Sequence, residues 1–253
     1  VTMTEATRRE RLRVETERDI RRQARALLVE HGRDAVTLRA IAREVGITAP
    51  ALYRYYDSRE DLLRRLAEDI CTDLAAELDA DLSGIDEDDV SAQVYAVCRG
   101  FRRWALAHPQ EFTLVFASTE DTLGSCAPDE DRSQAGDQFG RVFLEVAGRL
   151  IASHPLPDDL GDDDVPAELH ADLAAFQQIL LATVNDRGVA VDETVLPLGA
   201  VYHITQSWVR IYGHVALEVF GRFPFAVSNP EPMFDSMLAQ ILGEMGFGHL
   251  PQP

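Results

Sequence analysis

The sequence predicts an all-α protein in two parts, an N-terminal three-helix domain of the helix-turn-helix kind followed by a larger helical domain. Apolar residues recur at i, i+3, i+4 and i+7 through most of the chain, the mark of one-sided helices. No alternation of period two lasts beyond a few residues, so no strand is expected. The stretch 37–62, TLRAIAREVGITAPALYRYYDSREDL, reads as a short helix, a Gly-centred turn, a second short helix and the capped start of a third.

Residues 1–14 carry Arg8, Arg9, Arg11 and Arg13 without apolar periodicity and are expected as a flexible Arg-rich arm. Such an arm is either a solvated tail or a strand laid along phosphates or into a minor groove. The first helix is expected from about Glu15 to His31, with Ile20, Ala24, Leu27 and Leu28 inward, Arg18, Arg22 and Arg25 outward, and Gly32 ending it. Leu38, Ile41, Ala42 and Val45 form the apolar face of the next. Gly46 then stands where a helix stops in the left-handed conformation that Gly adopts cheaply. Thr48 can cap the second short helix, and Pro50 lies in its first turn, where a missing N–H costs little. Ser58 with Glu60 and Asp61 opens a long helix to about Leu82, whose Leu62, Leu66, Ile70, Leu74 and Leu78 repeat every four residues.

The run from Gly46 through Ile47, Thr48, Leu52, Tyr53, Tyr55, Tyr56, Arg59, Glu60 and Asp61 to Leu62 resembles the DNA-binding domain of TetR/AcrR-family regulators. Where that pattern has Lys, this chain has Arg59, which keeps the charge but replaces a point donor by a planar fork. The resemblance implies a DNA-binding domain over 15–65, with double-stranded operator DNA as partner and Tyr53, Tyr55 and Arg59 as phosphate clamps. The residue types agree. Thr48, Ala49 and Pro50 are short enough to approach base edges, and the Thr48 and Ala49 methyls can meet a thymine methyl. Arg39, on the first helix of the motif, completes the expected DNA-binding set, while Leu52 and Tyr56 are expected in the core. Phosphate contacts position a domain without reading sequence, so the operator is not given by these residues.

The remainder, 66–253, reads as helices over 90–107, 110–118, 138–153, 167–184, 194–220 and 231–245. Acidic, Gly- and Pro-punctuated loops are expected over 83–89, 119–136 and 155–166. The Asp cluster in the last of these lacks EF-hand spacing, so a solvated charge run is expected, not a calcium site. The run Trp208 to Gly221 and the upstream run Phe101 to Pro109 are similar to the C-terminal domain of a TetR subgroup named for a Trp, a His and a Gly. Tyr212 occupies the usual His slot, so a role resting on that His does not transfer.

This resemblance implies a ligand-binding and dimerisation domain whose last two long helices pair with those of a second subunit, and a linking helix that tilts when effector binds. For the homodimer interface the candidates are Trp208, Ile211, Val215, Met237 and Ile241; for a small-molecule effector they are Phe101, Trp104, Phe112, Phe116, Phe143, Phe176 and Tyr202. Helices built around large aromatics enclose apolar space, though plain core packing must hold for most of these rings. Arg102 or Arg103 could receive an anionic group. His203, Ser207, Arg210 and His214 share one helical face as interface polar groups or ligand contacts. The two histidines are about 16 Å apart along the helix, too far to share an ion, so no metal is expected.

The formal net charge of −19 argues against nucleic acid until the chain is divided. Through Leu66 there are fifteen Arg against eleven acids, a net of about +4; the rest is strongly acidic. A basic head on an acidic body orients a protein on a polyanion. Cys71, Cys98 and Cys126 form no spaced pair, which fits free thiols in a reducing compartment. No apolar run reaches a membrane span and no charged-then-apolar leader opens the chain, so a cytoplasmic protein without membrane contact is expected. No nucleophile–base pair, phosphate-cradling Gly loop or metal-ligand cluster is present, so neither an enzyme nor a cofactor is expected. The expectation is a homodimeric repressor that binds a palindromic operator and is released by a small molecule, with an architectural DNA binder lacking an effector as the alternative.

Overall fold

The computed structural model describes residues 3–86, 88–117, 134–153, 156–157, 160, 165–185, 192–223 and 227–249. Ten α-helices are present among them: α1 (Met3–His31), α2 (Leu38–Val45), α3 (Ala49–Leu52), α4 (Arg59–Leu82), α5 (Val90–Ala107), α6 (Pro109–Phe116), α7 (Gln134–Ser153), α8 (His170–Asn185), α9 (Leu198–Val219) and α10 (Glu231–Glu244). No strand occurs among the described residues.

Two compact units result, one of Val1–Asp73 with His108–Gly136, the other of Leu74–Ala107 with Asp137–Pro253. The division differs from a simple cut near residue 65, because α6 joins the first unit. Phe112, Leu114 and Val115 of α6 are buried, and an ionic tie accompanies them. Glu111 in the first turn of α6 is almost fully buried and accepts Arg25 Nε at 2.5 Å, while Arg25 also pairs with Asp73. A buried carboxylate left without that guanidinium would be costly, so α1, α4 and α6 are tied together.

The core of the first unit is Ile20, Ala24 and Leu28 of α1, Ile41 and Ala42 of α2, Leu52 of α3, Tyr56, and Leu62, Leu63 and Leu66 of α4. Thr37 caps α2, its hydroxyl accepting the Ala40 N–H at 3.2 Å. Gly46 ends α2 at φ 75°, and Ile47 N–H reaches back to the Ala42 carbonyl at 2.9 Å, as the sequence predicts for a left-handed stop. A variant of the capping box opens α4: Ser58 Oγ accepts Asp61 N–H at 3.0 Å, and Asp61 Oδ2 accepts the N–H of Asp57, one residue before the cap, at 3.2 Å.

Residues 3–14, expected as a flexible arm, are the first three turns of α1. Helical hydrogen bonding needs no apolar face, so the absent periodicity did not forbid a helix; it only removed the signal for one. The acidic loop expected over 119–136 falls largely outside the described residues, as do most of 155–166 and Cys126.

In the second unit, α7, α8 and α9 pack around Ile151, Leu173, Leu180, Leu181, Val184, Ala200 and Val201, with Phe176 and Tyr202 partly buried against them. The α7–α8 approach is close enough that a Cβ on Gly148 would lie 2.7 Å from Val184. Gln177, buried in α8, donates to the Leu196 carbonyl at 2.7 Å and so fixes the segment entering α9. Cys71 and Cys98 are free buried thiols, each pushed up to about 12 by desolvation and so inert as nucleophiles.

Candidate nucleic-acid interface

The turn between α2 and α3 and the residues after α3 form the candidate DNA-contacting edge. Thr48 precedes α3 in extended backbone, and its carbonyl accepts the Ala51 and Leu52 N–H groups. Its hydroxyl makes no capping bond, unlike the expectation, and stays exposed. Pro50 is the reason a cap matters less: it removes one of the donors that a helix start leaves unpaired. Ala49 is half-buried and Pro50 exposed.

α3 is only four residues long, so Tyr53 and Tyr55 lie in the turns after it. Tyr53 is 57% exposed with its phenol in solvent, whereas Tyr55 is half-buried. Arg39 on α2 is exposed and makes no ion pair among the described residues. Arg54, between the two tyrosines, is likewise exposed and makes no ion pair among them. It was missed in the sequence because neither a motif nor a periodicity singles it out; its place between two candidate phosphate donors was the usable signal.

Arg59 is engaged within the fold. Its Nε donates to the Val36 carbonyl and its Nη2 to the Arg33 carbonyl, each at 2.7 Å, so the start of α4 is fastened to the α1–α2 connection. Tyr56, 2% exposed, receives the Arg21 guanidinium at its hydroxyl over 3.3 Å and lies under Arg65 at 5.7 Å. Burial pushes the Asp61 carboxyl up, but the Asp57 N–H and the Arg65 and Arg64 guanidinia outweigh it and hold the group below its ordinary range.

The residues expected to hold effector are distributed between the units. Phe112 and Phe116 stack in α6 of the first, 5.1 Å apart, with Phe112 fully buried. In the second, Phe101 and Trp104 are core residues. Phe101 meets Phe143 edge-on at 5.9 Å and Trp208 at 5.6 Å, and Phe143 meets Trp208 at 5.7 Å. This ring cluster joins α5, α7 and α9, and it unites residues that the sequence had assigned to a pocket and to an interface. A cavity of about 20 Å³ lies among Leu144, Gly148, Leu181, Val184, Leu196 and Ile204. Its lining is aliphatic, next to Phe176 and Tyr202 but not made by them.

Of the expected interface residues, Ile211, Val215 and Ile241 are buried inside the unit and Met237 is half-buried. The apolar side chains left outward are Val209 and Leu217 on α9, Phe220 directly after it, and Met233 on α10. Apolar residues stand on both the interior and the outward side of α9, which is why the sequence did not separate them.

The polar stripe on α9 is partly occupied. Ser207 donates to the His203 carbonyl at 2.7 Å and Arg210 pairs with Glu244. His214 sits between Phe223 and Phe234, its Nε2 3.2 Å from Glu218. Arg102, considered for an anionic ligand, grips Glu218 fork to fork at 2.7 and 2.8 Å, while Arg103 pairs with Asp81 at 2.5 Å. Among the described residues no cluster of His, Cys, Asp and Glu could hold a metal ion, and no helix is long and apolar enough to cross a membrane.

Comparison with known proteins places these features. Residues 20–66 match the family profile of bacterial regulatory proteins of the tetR family, and 94–241 match that of the tetracyclin repressor-like C-terminal domain. The HTH-type transcriptional regulators Rv1816 of Mycobacterium tuberculosis and Mb1846 of Mycobacterium bovis are each 30% identical over 244 residues, covering 92% of this chain and 97% of theirs. The crystal structure of SCO4313, described as a regulatory protein, superposes with a TM-score of 0.59 at 26% identity, over 92% of this chain and 98% of that one. A protein from Rhodococcus sp. RHA1 shares the fold with a TM-score of 0.57 at 17% identity, over 91% and 95% of the two chains. The chain is therefore a member of the TetR family of bacterial transcriptional regulators, DNA-binding helix-turn-helix proteins and not enzymes.

Proposed function

We propose that this chain is a homodimeric, ligand-responsive repressor that binds a palindromic operator through Thr48, Ala49, Pro50, Tyr53 and Tyr55, with Arg39, Arg54 and Arg59 adding charge. The observation that carries the DNA reading is the exposed, unbonded Thr48 hydroxyl beside the exposed Tyr53, on the one part of the chain with net positive charge. Short side chains at the helix start reach base edges, and the phenol and guanidinia beyond them reach phosphates.

Dimerisation is supported by Val209 and Leu217, which follow one line along α9 with Gly213 between them, by Phe220 directly after that helix, and by Met233 on α10. One four-residue reading helix contacts too few bases for specificity; two on one rigid dimer read successive major grooves about 34–36 Å apart. Each base contact contributes about 1–3 kcal/mol, so doubling them matters.

Ligand responsiveness is supported by the aliphatic cavity between α7, α8 and α9, which would take an apolar group. At about 20 Å³ it admits little more than one water-sized body, so an effector must part these helices to enter. That cost favours the second reading, an architectural DNA binder without effector. To move operator occupancy from 99:1 to 1:99, an effector must prefer the released state by about 10⁴-fold.

Selecting bound sequences from random duplex DNA, then titrating cell metabolites against the complex in a gel shift, tests both parts. A palindrome must emerge, and at least one small molecule must release it. Absence of any sequence-specific complex removes the DNA reading; release by no metabolite leaves the architectural one.

A further inference from the structure

α1 is longer than its packing requires. Its first buried residue among those described is Ile20, followed by Ala24 and Leu28, so Met3 to Asp19 precede the packed part. At 1.5 Å per residue this is about 25 Å of helix. Leu12 and Val14 on it are 54% and 41% exposed, and all of 10–15 is exposed, so the first unit leaves that stretch uncovered.

At about 100° per residue, Arg8, Arg11, Arg18 and Arg22 fall within an arc of roughly 80°, on the side opposite Ile20, Ala24 and Leu28. All four are exposed. Arg22 pairs with Asp19 at 2.8 Å, whereas Arg8, Arg11 and Arg18 make no ion pair among the described residues. Between residues 8 and 22 that arc holds one other side chain, the exposed carboxylate of Glu15, and nothing apolar.

We infer that this row is a second DNA-contacting surface, laid along phosphates that flank the half-site read by Thr48 to Tyr53. The inference rests on the DNA reading above. Its occupant follows from charge: guanidinia spaced over about 21 Å of helix fit a regular line of phosphates. A membrane or an apolar protein groove would need an apolar side chain in the arc, and there is none. The energetics agree, because an exposed helical stretch is marginal in water and gains from a partner that neutralises its repeated charge.

The test is equilibrium binding of the full chain to its selected operator between 50 and 200 mM salt. In the variant Arg8→Gln, Arg11→Gln, Arg18→Gln, the slope of log Kobs on log salt falls by about 5 for the dimer, at roughly 0.9 for each phosphate no longer neutralised by the three residues of each subunit. Its ranking of mutated operators stays that of the wild type, since phosphates carry no sequence. The corresponding triple Lys variant restores the slope, which separates the effect of charge from that of an unravelled helix. Glu15→Gln binds several-fold more tightly. Trimming the duplex flanks weakens the wild type but not the Gln variant. A Gln variant with wild-type affinity and slope overturns the inference while leaving the DNA reading in place. A wild type that forms no specific complex overturns both.

Discussion

Arg59 donates Nε–H to the Val36 carbonyl over 2.7 Å, so the residue that opens α4 also holds the turn leading into α2. With its second bond to Arg33, the guanidinium closes the three-helix head from within. Arg59→Ala is therefore expected to lower stability by about 1.5–3 kcal/mol, the range for hydrogen bonds from charged donors, besides weakening DNA binding. Arg59→Lys is expected to recover the charge but only part of the stability, since an ammonium lacks the planar fork that spans two carbonyls. Chemical denaturation of the full chain separates the effects. An unchanged midpoint in Arg59→Ala would mean that the two carbonyl bonds contribute nothing.

Tyr53→Phe and Arg54→Ala leave the core untouched, because both side chains are exposed. Each is expected to weaken binding to matched and mismatched operators by the same factor. Thr48→Val is expected to change the ranking of operators instead, by about 1–3 kcal/mol at one base position. Competition binding over a panel of single-base operator variants distinguishes the patterns. A Tyr53→Phe effect confined to one base would assign Tyr53 to reading, not clamping.

The head was legible in the sequence because its signals are local. Gly46, Pro50 and the Ser58–Asp61 box each act within four residues of themselves, and backbone geometry alone gives them meaning. What could not be read is what depends on partners distant in sequence. Arg25 and Glu111 are 86 positions apart, and Arg102 and Glu218 are 116 apart. No periodicity reveals that either pair meets. The same blindness assigned Phe101 and Trp208 to different sites although their rings touch, and assigned Val215 to an interface although it is buried. The end of the second short helix was not legible either: the helical spacing of Ala49 and Leu52 continues into Tyr53 and Tyr56, where the backbone has already turned.

The outward line on α9 makes a prediction about assembly. Leu217→Glu with Phe220→Glu places two charges where the proposed interface would exclude water, at side chains that are exposed in the single chain. Sedimentation is expected to show a dimer for the wild type and a folded monomer for the double variant, with operator affinity falling by orders of magnitude. A variant that remains a dimer would move the interface elsewhere.

Arg102 and Glu218 form the most enclosed Arg–carboxylate pair of the second unit among the described residues, with side chains 15% and 6% exposed, and Arg102 also lies over Phe234 at 5.7 Å. Glu218→Ala strands a guanidinium away from water, for which about 3–5 kcal/mol is expected. The double variant Arg102→Met, Glu218→Leu removes both charges and is expected to recover most of that loss. Denaturation of the two variants decides between a costly unpaired charge and a pair that contributes by itself; the second holds if the double variant is no better than the single.

His214 gives the pH dependence. Burial between Phe223 and Phe234 lowers its pKa from 6.5, Glu218 opposes this, and Arg102 reinforces it, leaving the folded value below the unfolded one. The sign follows from proton counting. Above the unfolded value neither state holds the proton, so the group gives no slope. As pH falls through it, the unfolded chain takes a proton that the folded imidazole refuses, and stability drops until the folded value is passed. His214→Gln keeps a polar group of similar reach but cannot titrate. The stability difference between wild type and His214→Gln is therefore expected to be constant from pH 8 to about 7 and to move in the variant's favour below about 6.5. The other histidines cancel in that difference. Parallel denaturation curves across pH 5.5 to 8 would show that His214 titrates as it does in the unfolded chain, and that Arg102 and the two rings do not act on it.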